Sequence, residues 1–211
     1  MNKNEMAQRL KGRNSEQQKV IKYFYGDGGC FGLSAMKDEE YDSMVMTRAK
    51  SVDFKQKALS KIGLDISQVS EIEPVHFENY FFDEKKTFVK FGKDLKTRSS
   101  AYQITWIFFS STQIYIYQYT FNMDEDGKKE QTEEYFYKDI TNFSTTSDTI
   151  EKPMPVSTTC QGEVTYGTKN VDTNRFQITV PGDKFYCAMA QSDYSEKSIQ
   201  GMKAKLREKK G

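Results

Sequence analysis

One stretch, from Ala101 to Ser144, constrains the fold of this 211-residue chain more than any other. It contains the single tryptophan, and in two of its segments aromatic or β-branched residues recur at every second position. This period is typical of β-strands, because successive side chains point to opposite faces of a sheet. The first segment predicts a strand with one buried face, formed by Tyr102, Ile104, Trp106 and Phe108. The second, Gln113 to Asn122, has aromatic residues on one face and isoleucines on the other, and predicts burial on both faces near its start.

The polar segment after this second strand predicts a hairpin. Asp126-Gly127 is a strong turn signal, and Thr132 to Tyr137 predicts the returning strand. With the turn centred on Gly127, we expect Tyr119 to lie opposite Tyr135, and Tyr117 opposite Tyr137. Such aromatic cross-strand pairs stabilise a sheet by about 0.2–1 kcal/mol each.

The same segment matches the calcium loop of an EF-hand in its spacing. Oxygen-bearing residues stand at loop positions 1, 3, 5 and 12, namely Asn122, Asp124, Asp126 and Glu133. However, position 1 is asparagine, position 8 is Lys129, and both flanks predict strands, whereas an EF-hand needs helices. The pattern therefore favours a solvated hairpin loop over a metal site, and predicts that substitution of Asp124 changes little.

The flanking sequence divides the chain into three parts. Residues 1–70 predict a helical region, in which Ser15 and Gln18 form a capping-box pattern, a helix begins at Asp38 and another ends at Gly63. Residues 71–99 predict connecting strands. Residues 100–211 predict a β domain of about seven strands, with a loop over residues 148–157 and a turn-rich connection over 167–173. An amphipathic helix is expected from about Tyr194 to the C-terminus.

From about residue 100 to 209, this order resembles the pleckstrin-homology-like superfold, especially its short bacterial and GRAM-like members. The resemblance is carried by the strand pair ITWIFFSSTQIYIYQY, by YFYKDITNF, and by a final hairpin followed by the helix SEKSIQGMKAKL. It implies a mainly antiparallel β-barrel of about seven strands. The resemblance does not extend to the helical region predicted ahead of the barrel, and with that region the expected fold class is α+β. A C-terminal amphipathic helix caps the barrel. Domains of this kind usually serve as binding platforms, so the resemblance implies binding rather than catalysis.

The composition narrows the classes of function. Thirty-one basic and 30 acidic residues give a net charge of +1, which argues against a nucleic-acid partner, because binders of phosphate backbones carry a clear positive excess. Three cysteines without CxxC spacing, Cys30, Cys160 and Cys187, favour a reduced, cytoplasmic setting. His76 is the single histidine, which excludes a zinc cluster or a catalytic triad built on several histidines. No cofactor and no metal are predicted.

Three hypotheses for the function follow. The preferred one is a non-enzymatic cytoplasmic protein that binds a protein or peptide partner. The alternative is a peripheral membrane protein that binds lipid head groups through basic residues ahead of the first barrel strand, Lys90, Lys93, Lys96 and Arg98. The third is a small enzyme that works through a carboxylate pair or through Cys30, which stands in a glycine-rich segment.

Overall fold

The computed structural model describes residues 3–25, 36–82, 87–158 and 164–210. Its N-terminal part contains the helices α1 (Lys3–Leu10), α2 (Ser15–Tyr25), α3 (Asp38–Lys50) and α4 (Phe54–Ile62), followed by a 3₁₀-helix, Ile66–Val69. The start of α3 at Asp38 and the end of α4 at the left-handed Gly63 are as predicted. The capping box of α2 lies one residue earlier than predicted, because Asn14 and Gln17 exchange the two hydrogen bonds.

The strands form three antiparallel sheets. A four-stranded sheet has the order β1 (Val75–Phe81), β4 (Ala101–Phe109), β5 (Gln113–Asn122), β6 (Lys128–Phe136). A small hairpin consists of β2 (Val89–Phe91) and β3 (Thr97–Ser99), and a three-stranded sheet consists of β7 (Asn142–Thr158), β8 (Val164–Val180) and β9 (Asp183–Ala188). The helix α5 (Asp193–Lys210) follows. The predicted α+β fold with antiparallel strands and a C-terminal helix is confirmed, while the described strands form separate sheets and no closed barrel.

The loop predicted over residues 148–157 and the turn predicted over 167–173 are wrong, because β7 and β8 each continue for 17 residues. Pro153 and Pro155 lie on β7, an outer strand of its sheet, where a residue without a backbone N–H is tolerated. Gly167 lies within β8, and a Cβ atom there would approach Cγ1 of Val156 to 2.7 Å. In the described chain, six strands follow residue 100 rather than the seven expected.

The predicted register between β5 and β6 is also wrong. Tyr119 lies opposite Glu130, Tyr117 opposite Thr132, and Tyr135 opposite Ile114. The turn is centred near Asp124 and not on Gly127, because contacts from distant parts of the chain position it. The backbone N of Met123 donates to the carbonyl of Ser100 at 2.8 Å, and Nε2 of Gln17 donates to Oδ1 of Asp126 at 2.7 Å.

The four-stranded sheet is covered on both faces. Its aromatic face packs against α2, α3 and α4 in one core cluster, which includes Phe24, Tyr41, Phe108, Tyr117 and Phe121. Its other face packs against the three-stranded sheet and α5 in a second cluster, which includes Ile107, Ile116, Phe176, Ile178 and Met202. The prediction of burial on both faces is thus confirmed for β5, whereas the prediction that β4 is buried on one face is wrong.

Amide side chains, of which those of Gln103 and Gln118 are buried, connect the two larger sheets. Oε1 of Gln103 accepts from the backbone N of Ala188 at 2.7 Å, and Nε2 of Gln118 donates to the carbonyl of Tyr186 at 2.9 Å. Nδ2 of Asn79 donates to the carbonyl of Met189 at 3.0 Å. These bonds satisfy backbone groups along the outer edge of β9 and at Met189, directly after it, and Ala188 and Met189 are both buried.

Candidate binding groove beside the second hairpin

The candidate site is an open groove of about 790 Å³ beside the β2–β3 hairpin, which we name the β2–β3 groove. The hairpin, β1, α3 and the middle of β8 contribute its walls, with Asp42, Tyr80, Phe91, Leu95, Lys96, Arg98 and Asp172 among the lining residues. The groove thus lies between α3, the four-stranded sheet and the three-stranded sheet. Two of the four basic residues predicted to bind a ligand, Lys96 and Arg98, line it.

Arg98 forms the fixed floor of the groove, with a side chain that is only 1% exposed. Its Nε and Nη2 atoms donate to the two carboxylate oxygens of Asp42, both at 2.7 Å. Its Nη1 and Nη2 atoms donate to the oxygens of Asp94, both at 2.8 Å. Because the planar guanidinium is engaged on both sides by carboxylates, it stabilises the fold and is not presented to a ligand.

The Asp42 carboxylate receives a further hydrogen bond, from the hydroxyl of Tyr80 at 2.6 Å. Burial raises the pKa of Asp42, but hydrogen bonds from Arg98 and Tyr80 outweigh it and hold the pKa below its ordinary value. Asp42 is therefore ionised at neutral pH and holds α3 against β1 and β3.

Lys90 is likewise engaged within the protein. Its Nζ atom donates to the carbonyl of Tyr23 at 3.1 Å and lies 3.7 Å from the centre of the Tyr23 ring. The same Nζ is 3.9 Å from Oδ1 of Asp38, which also accepts from the Tyr23 hydroxyl at 2.8 Å. Lys90 therefore positions α2, whereas Lys93 and Lys96 remain exposed at the tip of the hairpin.

The rim of the groove carries two exposed apolar side chains, which the sequence reasoning missed. Leu95 is 74% exposed and has φ 64, and Phe91 is 38% exposed with Nζ of Lys169 at 4.6 Å from its ring centre. A left-handed backbone costs a residue with a Cβ atom about 1–2 kcal/mol. The signal in the sequence is a leucine in the turn GKDLK, at a position where glycine or asparagine would suit the backbone better.

The residues of the EF-hand-like pattern do not converge on a common point. Glu125, within the pattern, pairs with Arg13 at 3.1 Å, and Asp126 accepts from Gln17. Glu133 lies on β6, well after the turn. In the part of the chain that the structure describes, no three histidine, cysteine or acidic residues are grouped so as to hold a metal ion. The hairpin tip instead holds α2 and the connection between α1 and α2 against the four-stranded sheet.

Asp124 differs from the solvated residue that the sequence suggests, because it is only 6% exposed. Burial raises its pKa, and a hydrogen bond with Ser100 lowers it in part. A carboxylate whose pKa is raised on folding stabilises the folded state below its ordinary pKa, and this contribution is lost as the pH rises through the folded-state value.

Replacement of Asp124 by asparagine is therefore expected to maintain or increase the free energy of unfolding at pH 7, relative to wild type. At pH 4 the advantage of the variant should be smaller, because wild-type Asp124 is then protonated more fully. Urea denaturation at the two pH values measures this difference, with the exposed Asp139→Asn as the control. A larger advantage of Asp124→Asn at pH 4 than at pH 7 would contradict the prediction.

Two further residues considered from the sequence are structural. His76 stacks on Trp106, with ring centres 4.9 Å apart, and its backbone N donates to the hydroxyl of Tyr194. Cys187 is buried, and burial raises its pKa to about 12, so that it remains a thiol at neutral pH. Cys30 and Cys160 lie outside the described residues, and the reactivity of Cys30 stays a prediction.

None of the described helices is both long enough and apolar enough to cross a bilayer. A comparison of the chain with protein-family models, with curated proteins and with solved structures finds no match.

Proposed function

We propose that this chain is a pleckstrin-homology-like binding protein, and that its β2–β3 groove holds a protein or peptide partner. The order of the strands supports the first part of the proposal. β1, β4, β5 and β6 form one antiparallel sheet, β7, β8 and β9 form another, and α5 follows. Together these two sheets contain seven strands, counted from β1 and without the β2–β3 hairpin, and a terminal helix follows them. The β2–β3 hairpin is then an insertion between β1 and β4.

Leu95 is the observation that carries the second part. Its side chain is 74% exposed, and its backbone has φ 64, so that burial does not favour leucine here and the backbone disfavours it. The exposed Phe91 adds a second apolar contact on the same rim. An apolar rim above a fixed polar floor suits a partner that inserts an apolar side chain between them.

Replacement of Leu95 by glycine is expected to raise the free energy of unfolding by about 1 kcal/mol, because glycine adopts the left-handed conformation without strain. The same change should weaken partner binding, since it removes the exposed apolar side chain. Urea denaturation measures the first effect. The second is measured in the native host, by placing the photo-crosslinking residue p-benzoylphenylalanine at position 91 and identifying the covalent adducts by mass spectrometry.

The matched control for crosslinking is the same photo-crosslinking residue at position 186, where Tyr186 is 42% exposed outside the groove. We expect an adduct that is specific to position 91 and is reduced by Leu95→Gly. The proposal is wrong if the adducts at positions 91 and 186 are the same, or if Leu95→Gly leaves the specific adduct unchanged.

A second candidate function is contact with an anionic membrane surface, favoured by the arrangement at the hairpin tip. There Leu95 stands between Lys93 and Lys96, and all three residues are exposed. An apolar side chain flanked by lysines suits a negatively charged bilayer surface. Sedimentation with phosphatidylcholine vesicles, with and without phosphatidylserine, tests this function. Binding that requires phosphatidylserine, falls with salt and is lost in Lys93→Glu/Lys96→Glu would favour it, and absence of such binding would remove it.

A further inference from the structure

The outer edge of β6 has no partner strand among the described residues. β6 is the last strand of the four-stranded sheet, and most of its side chains are exposed or half-buried. Its sequence, KKEQTEEYF, places two lysines at the start and two adjacent glutamates near the end. An open strand edge is a template for pairing with another strand, and charged residues on it determine which strands can pair.

The backbone of β6 is oriented for such pairing. The carbonyl of Gly127 accepts from the backbone N of Asn122, and the backbone N of Tyr137 donates to Thr112, so odd-numbered residues of β6 direct their backbone groups towards β5. The alternate residues, Lys128, Glu130, Thr132, Glu134 and Phe136, therefore direct theirs to the open edge. Two antiparallel copies of β6 can exchange hydrogen bonds between these residues.

The order of charges fits one register of this self-pairing. When Gln131 lies opposite Gln131 of a second copy, Lys128 lies opposite Glu134 and Lys129 opposite Glu133. The twofold symmetry repeats both pairs, which gives four pairs of opposite charge. Lys128 and Glu134 share the aromatic face of the sheet, and Lys129 and Glu133 share the other face, so each pair is on one side of the joined sheet.

Neighbouring symmetric registers lack this complementarity. A register centred on Thr132 would place Glu130 opposite Glu134, and a register centred on Glu130 would place that residue opposite itself. Like charges directly opposite each other destabilise an antiparallel pair. In the described residues, Lys128, Lys129, Glu133 and Glu134 form no ion pair within the chain. Oε2 of Glu134 accepts from the neutral amide of Gln113 at 3.2 Å, which does not compensate its charge, so all four charges are available to a second copy. Glu130 is engaged by Lys57 at 3.2 Å, and the proposed register does not require it.

We propose that β6 binds β6 of a second copy of this chain in antiparallel orientation, centred on Gln131, and so joins the two four-stranded sheets into one continuous sheet. The partner is thus the same chain, recognised by backbone hydrogen bonds and by a self-complementary order of lysine and glutamate. The interface is small, so the dimer should depend on concentration, and it should weaken at high salt because its ion pairs are exposed. The β2–β3 groove is formed by other residues, and this inference does not rest on the function proposed for it.

Charge exchange on β6 tests the proposal with the full chain. Sedimentation velocity over a range of protein and salt concentrations should show a dimer for wild type. Lys128→Glu/Lys129→Glu and, separately, Glu133→Lys/Glu134→Lys should each be monomeric, because like charges then face each other. A mixture of the two variants should form a heterodimer, and the variant with all four changes should form a homodimer again. Lys184→Glu/Lys197→Glu, at exposed positions elsewhere, is the matched control and should behave as wild type.

Disulfide crosslinking tests the register between the two β6 strands. In a background with Cys30 and Cys160 replaced by serine, Gln131→Cys is expected to form an intermolecular disulfide rapidly under mild oxidation, because residue 131 is opposite itself in a closely spaced pair without mutual hydrogen bonds. Thr132→Cys should crosslink much more slowly. A wild-type protein that stays monomeric overturns the proposal, as does a dimer that the charge changes do not affect. Faster crosslinking at position 132 than at 131 overturns the register.

Discussion

Replacement of Asp42 by alanine is expected to lower the free energy of unfolding by about 2–3 kcal/mol at pH 7. The buried guanidinium of Arg98 then loses its bidentate partner and keeps Asp94 alone. Removing one partner of a fully buried pair costs about 3–5 kcal/mol, and the smaller figure applies here because the side chain of Asp42 is 37% exposed. Urea denaturation of wild type, Asp42→Ala, Arg98→Met and the double variant measures the coupling between the two residues, with Asp139→Ala as the exposed control.

The effect of Asp42→Ala should depend on pH in a defined direction. The folded state holds the pKa of Asp42 below its ordinary value, so the ion pair stabilises the protein fully above about pH 4 and loses this contribution as the pH falls through the folded-state pKa. The difference between wild type and Asp42→Ala is therefore expected to decrease at pH 3. The role assigned to this pair would be contradicted if the stability difference between wild type and Asp42→Ala stayed constant from pH 7 to pH 3. It would also be contradicted if the loss of stability in the double variant equalled the sum of the losses in the two single variants.

Replacement of Tyr117 by alanine is expected to destabilise the protein by about 3–5 kcal/mol, the range for large aromatic residues in a core. Tyr117 is fully buried in the cluster that joins the N-terminal helices to the four-stranded sheet, and its hydroxyl donates to Oε1 of Glu130 at 2.7 Å. Tyr117→Phe keeps the ring and loses this hydrogen bond, and should cost about 1–2 kcal/mol. Thermal and urea denaturation measure both changes.

Tyr186→Ala is the control for these variants, because Tyr186 is 42% exposed and should cost well under 1 kcal/mol. If Tyr117→Ala lowered the free energy of unfolding no more than the control does, packing of the helices on the aromatic face of the sheet would not stabilise the protein as proposed. Trp106 also lies on this face but is half-buried, so Tyr117 is the stricter test.

The alternation of apolar residues predicted β5 with its observed bounds, because its two faces differ in composition and this pattern is local. β4 was harder to predict. Gln103 and Thr105 alternate with apolar residues and so predict a solvated face, but both are buried, and Gln103 accepts a hydrogen bond from the edge of β9. Polar residues can line a core face when a distant part of the chain supplies their hydrogen-bond partners. The sequence of a single strand does not show whether such partners exist.

The two long strands β7 and β8 show the same limit. Pro153, Pro155 and Gly167 are reliable turn signals locally, yet all three lie in strands. An outer strand tolerates proline, and the close approach of the Val156 side chain favours glycine at position 167. Whether a strand is central or outer is a property of the sheet and not of the segment.

The candidate site was predicted only in part for a similar reason. The clustering of Lys90, Lys93, Lys96 and Arg98 in the sequence indicated a basic surface, and Lys93 and Lys96 are exposed. Arg98 and Lys90 are instead engaged by Asp42, Asp94 and Asp38, and two of these carboxylates come from α3, far earlier in the chain. The exposed Leu95 was missed, because neither its backbone conformation nor its exposure can be read from apolar periodicity.

In the segment from Ala101 to Ser144, the sequence by itself determined the strands and the presence of a hairpin. Side-chain alternation identified its strands, and the polar residues around Asp124 identified the hairpin between β5 and β6, because both are local preferences of the backbone. The tertiary structure alone decided the register of that hairpin and the environment of Asp124. Gln17 of α2 and Arg13, in the connection between α1 and α2, bind the turn. The burial and hydrogen bonds formed there outweigh the small preference of the Asp126-Gly127 dipeptide for one turn.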